Sequence, residues 1–299
     1  MISLAAAAFL AAASVTRARY LMGTVCEISV PPSPAAQEQI EGAFTEAARI
    51  EHFLSTWRDD SELSSLNAHE LTVVSPELRD LLRQSVEWAH ATGGAFNPLV
   101  KPLLDAWRIR DGGAVPDDVA LAAATSRADL NNIAFGESVE LRNGAQVEEG
   151  AFGKGYALDR MLVVLRSRGA TAALINFGGQ IASYNAPQEV AIADPEHRER
   201  PKLSVTLSYG SISTSSGSEK SFAIAGRRFT HIVDPRTGDA LPPRGSVSVI
   251  HESALVADIL STALYVMGPA EGVRWARDHN VTAIFITDSG QIITSKEVH

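Results

Sequence analysis

Cysteine is almost missing from this chain: 299 residues carry one, Cys26. That excludes an intrachain disulfide, a cysteine-rich metal site and a CxxC redox pair. Cys26 falls in a strand-like run and reads as a small buried hydrophobe. Runs of Lys or Arg are missing too, and 35 acidic against 26 basic side chains leave a net charge of −9. An acidic chain without a basic face is a poor nucleic-acid binder, so no nucleic-acid partner is expected. An anionic substrate would need a metal ion or a local Lys to meet it. The most basic short stretch, residues 197–202, contains Glu199 and Pro201 and reads as a solvated loop. Residues 4–13 are apolar but too few to cross a bilayer, and no transmembrane span is expected. That run ends in Ala11-Ala12-Ala13 and resembles the apolar core of a secretory leader, although no Lys or Arg precedes Arg17. The expectation is a signal peptide over residues 1–15, one folded domain over residues 16–299, and a periplasmic or exported protein.

What is present suits an ordered globular domain: 45% hydrophobic and 20% charged residues. Residues 19–30 read as a strand kinked at Gly23 and ended by Pro31, Pro32 and Pro34. A helix follows, closing near Leu54, with the stripe Ile40, Phe44, Ala47 and Leu54. Ser75-Pro76 opens another as cap and first residue, and Gly93-Gly94 stops it. Asn143-Gly144 lies between two strand-like runs as a hairpin signal. A glycine-rich turn from Gly150 to Gly155 enters a helix bearing Leu158, Leu162 and Leu165, closed by Gly169. A buried strand follows at residues 172–177. The last third alternates strands (203–207, 222–224, 229–233, 247–250, 283–287) with helices at 253–267 and 269–278. Strict βαβ alternation is missing, which predicts an α+β fold with a mixed or antiparallel sheet flanked by helices.

Four stretches carry chemistry. Glu148 to Asp159 reads EEGAFGKGYALD. Its glycines let backbone N–H groups approach a ligand, and a helix N-terminus favours anions. Lys154 opposes the helix dipole there, which a bound phosphate or flavin carbonyl would explain; an ordinary hairpin-to-helix connection is the competing reading. Asn176-Phe177-Gly178-Gly179 follows a buried strand and permits close backbone approach. Thr214 to Glu219 is a hydroxyl-rich run around a glycine, either a phosphate or ribose contact or a plain loop, followed by a strand carrying His231 into the Asp234-Pro235 turn. His231 is either a base, an orienter or a satisfied structural group. Asp258 and Thr262 share one face of an otherwise apolar helix. A buried carboxylate needs a partner or a metal, and this oxygen pair suits Mg²⁺ better than Zn²⁺.

Together these stretches resemble the ApbE flavin transferases. Met22-Gly23-Thr24, Ser55-Thr56-Trp57-Arg58, Thr92-Gly93-Gly94-Ala95-Phe96, Gly150 to Asp159, Asn-x-Gly-Gly, His-Ile-x-Asp-Pro-x-Thr-Gly and Ala257-Asp258 with Thr262 occur in family order from Tyr20 onward. The resemblance implies a T-fold-like architecture and FAD between the glycine-rich turn and the C-terminal helix. Met22, Trp57, Phe96, Glu148, Lys154 and Ile232 match positions lining FAD. Metal positions match the Ala151 carbonyl and the side chains of Asp258 and Thr262. His231 matches a histidine near the reacting phosphate. Glu148 stands where the family usually has Asp. Asn97 and Gln180 replace common Asp residues.

The implied reaction moves FMN from FAD to a Ser or Thr hydroxyl of an acceptor protein with Mg²⁺, releasing AMP. Asp258 and His231 are the candidate catalytic residues. A Mg²⁺-dependent FAD pyrophosphatase and a non-catalytic FAD-binding protein are the alternatives. A redox flavoprotein lacks support, because no Rossmann fingerprint is found.

Overall fold

Pro31 and Pro32 end the first hairpin because proline has no N–H to give a ladder. In the computed structural model, which describes residues 14–218, 221–224 and 226–297, that hairpin is β1 (Val15–Leu21) and β2 (Thr24–Val30). Gly23 is therefore half of a two-residue turn rather than a kink within one strand. The leader expectation falls mainly on residues 1–13, outside the described residues; Val15 already belongs to β1.

A helical layer follows: α1 (Ala36–Leu54), α2 (Glu62–Ala68), a short β3 (Leu71–Thr72) and α3 (Pro76–Ala91). The Ser75 hydroxyl accepts the Leu78 N–H at 3.2 Å, as its capping position predicts. Next come α4 (Lys101–Ala106), α5 (Asp118–Arg127), β4 (Ile133–Phe135) and β5 (Val139–Leu141). Asn143 and Gly144 do turn, both with positive φ, but no strand follows them. The chain there goes directly to the glycine-rich turn and α6 (Gly153–Ser167).

The rest builds the sheet: β6 (Ala173–Phe177), β7 (Gln180–Tyr184), β8 (Gln188–Ala193), β9 (Pro201–Leu207), β10 (Gly210–Ser216), β11 (Ser221–Ile224) and β12 (Arg227–Thr230). Then come β13 (Ser246–His251), α7 (Ala254–Asp278), β14 (Thr282–Ile286) and β15 (Ile292–Thr294). Eight strands form one antiparallel sheet in the order β1-β2-β6-β7-β10-β13-β14-β15. The architecture is α+β, as expected.

Alternation along β13 and β14 explains how both faces are covered. Val247, Val249, Ala283 and Phe285 join the core shared with α1, α6 and α7. Ile284 and Ile286 point the other way, onto Val190, Ile192, Val205 and Leu207 of the β8–β9 hairpin. A third cluster unites Leu103, Trp107 and Ala124 with Phe229 and Val233. It fastens the α4–α5 segment to the β11–β12 hairpin.

Two stretches differ from the sequence expectation in ways that matter for the site. Thr214 to Ser216 is part of β10, not a loop, because β13 supplies a ladder partner for each of the three. β12 stops at Thr230, so His231 lies just beyond a strand rather than within it. The helices expected at 253–267 and 269–278 are both present: α7 consists of two helical stretches that meet at a kink, with Gly268 non-helical (φ 74°, ψ 174°) ahead of Pro269. By length and composition α7 qualifies as a membrane span, yet 78% of its most apolar window is buried within this fold. Among the described residues no other helix qualifies.

Candidate active site

A groove of about 1470 Å³ opens beside the first turns of α7. Met22, Trp57, Phe96, Glu148, Ala151, Lys154, His231, Ile232, Asp258 and Thr262 all line it. Every candidate site residue is thus brought to one cavity.

Its floor is the junction of α6 and α7. The Asp159 carboxylate accepts the Ser253 hydroxyl at 2.6 Å and the N–H groups of Ala254 and Leu255 at 2.8 and 3.1 Å. A carboxylate on free N–H groups at a helix start is favourable twice over, by hydrogen bonding and by the dipole. This clamp fixes α7 against the glycine-rich turn. Gly155 then lies so close that a Cβ on it would meet the Ala254 carbonyl oxygen at 2.3 Å. Its N–H donates to Asp258 Oδ2 at 3.0 Å.

Asp258 is 5% exposed. Ser213 Oγ donates to its Oδ1 at a long 3.3 Å. Ser215 Oγ lies 2.9 Å from Ser261 Oγ and 3.5 Å from Thr262 Oγ1. The serines of β10 therefore reach the face of α7 that carries Asp258, Ser261 and Thr262. The sequence singles out Ser215, within Thr214 to Glu219, but not Ser213; strand alternation, with period two, was the signal available for the latter. No three His, Cys, Asp or Glu side chains converge as a metal cage among the described residues. Asp258, Thr262 and Ala151 line the same groove, and a carboxylate, a hydroxyl and a backbone carbonyl are hard oxygen groups of the kind that fits Mg²⁺.

Lys154, in the first turn of α6, makes no hydrogen bond or ion pair among the described residues. Phe96 is 2% exposed and packs edge-on to Phe152, with centroids 6.4 Å apart. Ile232 is likewise mostly buried, and its N–H donates to Thr230 Oγ1 at 3.2 Å. His231 is half-buried at the groove wall.

The departures noted above acquire physical meaning. Asn97 uses both ends internally: Nδ2 donates to the Ala128 carbonyl at 2.7 Å, and Oδ1 accepts the Leu99 N–H at 2.8 Å. Gln180 Nε2 donates to the Ala254 carbonyl at 2.8 Å. An Asp there would face that oxygen with another acceptor. Glu148, the longer acid, reaches Arg110, whose Nη2 donates to both carboxylate oxygens at 2.8 Å.

Burial, helped by the neighbouring Glu149 and opposed by Arg110, pushes the Glu148 carboxyl up from 4.5 to about 7. The folded pKa is raised, so the stability linked to this group is full below pH 4.5 and is lost as pH rises through about 7. We expect unfolding free energy to fall by about 1–3 kcal/mol more in the wild type than in Glu148→Gln between pH 5 and 8. Parallel stability–pH curves from denaturant melts would contradict this.

Met22 is a strained element. It sits at φ 46° beside Gly23 at φ 73°, in the two-residue turn of the β1–β2 hairpin. Such a turn favours Asn-Gly, and a side chain like Met in the left-handed region costs about 1 kcal/mol. Glu51 Oε1 holds it by accepting the Met22 N–H at 2.8 Å. Met22 Cε reaches to 3.5 Å from where a Cβ on Gly153 would stand. Strain kept beside a groove points to ligand contact. Met22→Asn is expected to raise the apo melting temperature by a few degrees while weakening FAD binding. Thermal melts and FAD titrations check this; a parallel fall in both would make Met22 purely structural.

The arrangement is matched in known proteins. Residues 22–285 match the ApbE family. A Treponema pallidum protein named FAD:protein FMN transferase is 32% identical over 303 residues, covering 91% of this chain and 84% of that one. A Rhodobacter capsulatus protein of the same name is 34% identical over 96% of this chain; the match spans 58% of its own length. The crystal structure of an ApbE protein from Thermotoga maritima superposes with a TM-score of 0.88 at 27% identity, covering 95% of this chain and 97% of that one. With the sequence match, the shared fold and the convergence of the motif residues in one groove, this chain belongs to the ApbE family.

Proposed function

We propose that this chain is an FAD:protein FMN transferase, which moves FMN from FAD to a Ser or Thr hydroxyl of an acceptor protein and releases AMP. The observation that carries the reading is the junction of Asp258, Thr262 and the glycine-rich turn in one groove. Bound there, Mg²⁺ would neutralise charge on the pyrophosphate; Asp258, Thr262 and the Ala151 carbonyl would hold it. Lys154 would meet a phosphate or a flavin carbonyl. The acceptor oxygen attacks the phosphorus on the flavin side, the bond to the bridging oxygen breaks, and AMP departs. The hydroxyl proton passes to Asp258 or His231. The enzyme's contribution is mainly positioning and electrostatics.

Mass spectrometry of a candidate acceptor incubated with FAD, Mg²⁺ and this protein tests the reading. The expected result is an adduct of FMN less water on a Ser or Thr. Release of free FMN and AMP with no adduct on any acceptor would replace transfer by hydrolysis.

Lys154 offers a sharper check. A Lys at a helix start is unfavourable by about 0.3–1 kcal/mol, so Lys154→Gln should leave apo stability unchanged or slightly higher. FAD affinity should fall roughly tenfold to a hundredfold for one lost charge-assisted hydrogen bond. Unchanged affinity by titration would return the glycine-rich turn to a plain connection.

A further inference from the structure

Arg110 belongs to none of the motifs above, yet it ties two of them together. Its guanidinium carbon lies 4.1 Å from the Trp57 ring centroid. Nη2 alone makes three hydrogen bonds: to Thr56 Oγ1 at 2.7 Å and to both Glu148 oxygens at 2.8 Å. Among the described residues, Nε and Nη1 have no acceptor. Trp57 remains 72% exposed, although one face of its ring is covered by Arg110. Both side chains line the groove.

The turn bearing Arg110 is itself held in place. Arg108, at φ 49°, accepts the Gly113 N–H at 2.9 Å. A Cβ on Gly113 would collide with the Phe222 ring at 2.2 Å. The loop is thus locked onto the β11–β12 hairpin, and Arg110 projects from it as a fixed support. Neutralising Glu148 would need only the ion pair. The stacking and the Thr56 bond do something else: they hold an exposed indole at a set height over the groove.

We infer that Arg110 is a positioning residue of the substrate site, which backs the Trp57 ring and locks it to Glu148 so that a planar ring of the dinucleotide stacks on the open Trp57 face. This rests on FAD being the substrate. A guanidinium can bond in its plane through one nitrogen while its flat face lies on an aromatic ring; an ammonium can meet the same acceptors but has no planar face to lay on the indole. Indole backed by a cation on one side and open on the other is a platform for a heteroaromatic ring. FAD has two such rings, flavin and adenine, and the two halves separate them.

The test measures binding of FAD, FMN and AMP, with kcat and KM, for wild type, Arg110→Lys and Arg110→Met. Expected is a rise in KM and Kd for FAD of at least tenfold in both variants, with kcat falling far less. Affinity for one half, FMN or AMP, should fall in parallel and identify the stacked ring. A double variant, Arg110→Met with Trp57→Leu, should bind FAD no worse than Trp57→Leu alone. Wild-type affinity in Arg110→Met, full rescue by Lys, or additive losses in the double variant would overturn the inference. If the Met variant does not fold, the Lys variant, which keeps the charge, decides by the same criterion. Failure of wild type itself to bind FAD would instead overturn the proposed function.

Discussion

Asp258→Asn is expected to abolish FMN transfer, by a thousandfold or more, in a protein that still folds. Asp258 is buried, and its two oxygens do different things. Oδ2 accepts the Gly155 N–H at 3.0 Å; Oδ1 has only a long bond from Ser213 at 3.3 Å. The amide oxygen of Asn can accept from Gly155 just as the carboxylate does, so the α6–α7 junction survives. The charge does not. In an acidic protein, a site for a cation and a pyrophosphate depends on each local charge, and one metal-bound carboxylate contributes on the order of several kcal/mol to the transition state. At about 1.4 kcal/mol per tenfold, a loss of 4 kcal/mol is roughly a thousandfold. Asp258→Ala should lose as much activity and some stability, because the Gly155 N–H is then left buried without an acceptor. Single-turnover transfer at millimolar Mg²⁺, with circular dichroism for folding, measures both. Activity in Asp258→Asn within tenfold of wild type would remove Asp258 from the proposed metal site.

Gly155→Ala should be the most damaging of the small substitutions. The added Cβ would stand 2.3 Å from the Ala254 carbonyl oxygen and 2.8 Å from Asp258 Cβ. The first obstacle is backbone, held by the Asp159 clamp, and cannot swing aside. The helices would have to separate, at about 3 kcal/mol or more for overpacking at a rigid contact. In a chain of this size the melting temperature should fall by roughly 6 °C or more. Catalysis should fall further, because the Gly155 N–H would leave Asp258. Gly153 is the internal control. A Cβ there meets only side-chain atoms of Glu149 and Met22, at 3.3–3.5 Å, and both can yield. Gly153→Ala should therefore hold its stability to within about 1 kcal/mol, aided by the helix propensity of Ala. Equal melting temperatures for the two variants would mean that the α6–α7 contact is looser than its geometry indicates.

The contrast between these glycines marks where the sequence stops being informative. Both lie in one glycine-rich turn, and nothing local tells them apart. Much of the site was nevertheless legible. Asp258 and Thr262 share a face because helical periodicity puts residues four apart on one side. The Ser75-Pro76 start and the Gly169 stop follow from capping and backbone freedom, which are local properties. The Asp-Pro turn after His231 is local as well, although β12 ends one residue before that histidine. The ten candidate residues were found because each sits in a recognisable stretch.

What the amino-acid sequence determined by itself, then, is whatever depends on neighbours within about a helical turn: where helices begin and end, which faces are apolar, and which motifs are present. Tertiary structure alone decided the rest. The Ser-rich run of β10 has too few apolar residues to announce a strand; it becomes one because β13 pairs with it from Ser211 to Ser216, while β7 holds its start at Gly210 to Ile212. Asp159 caps a helix that starts 95 residues later, and Arg110 reaches Thr56 from 54 residues away. No local propensity encodes such partners, because the free energy of each contact exists only after the sheet and the helical layer have brought the two segments together.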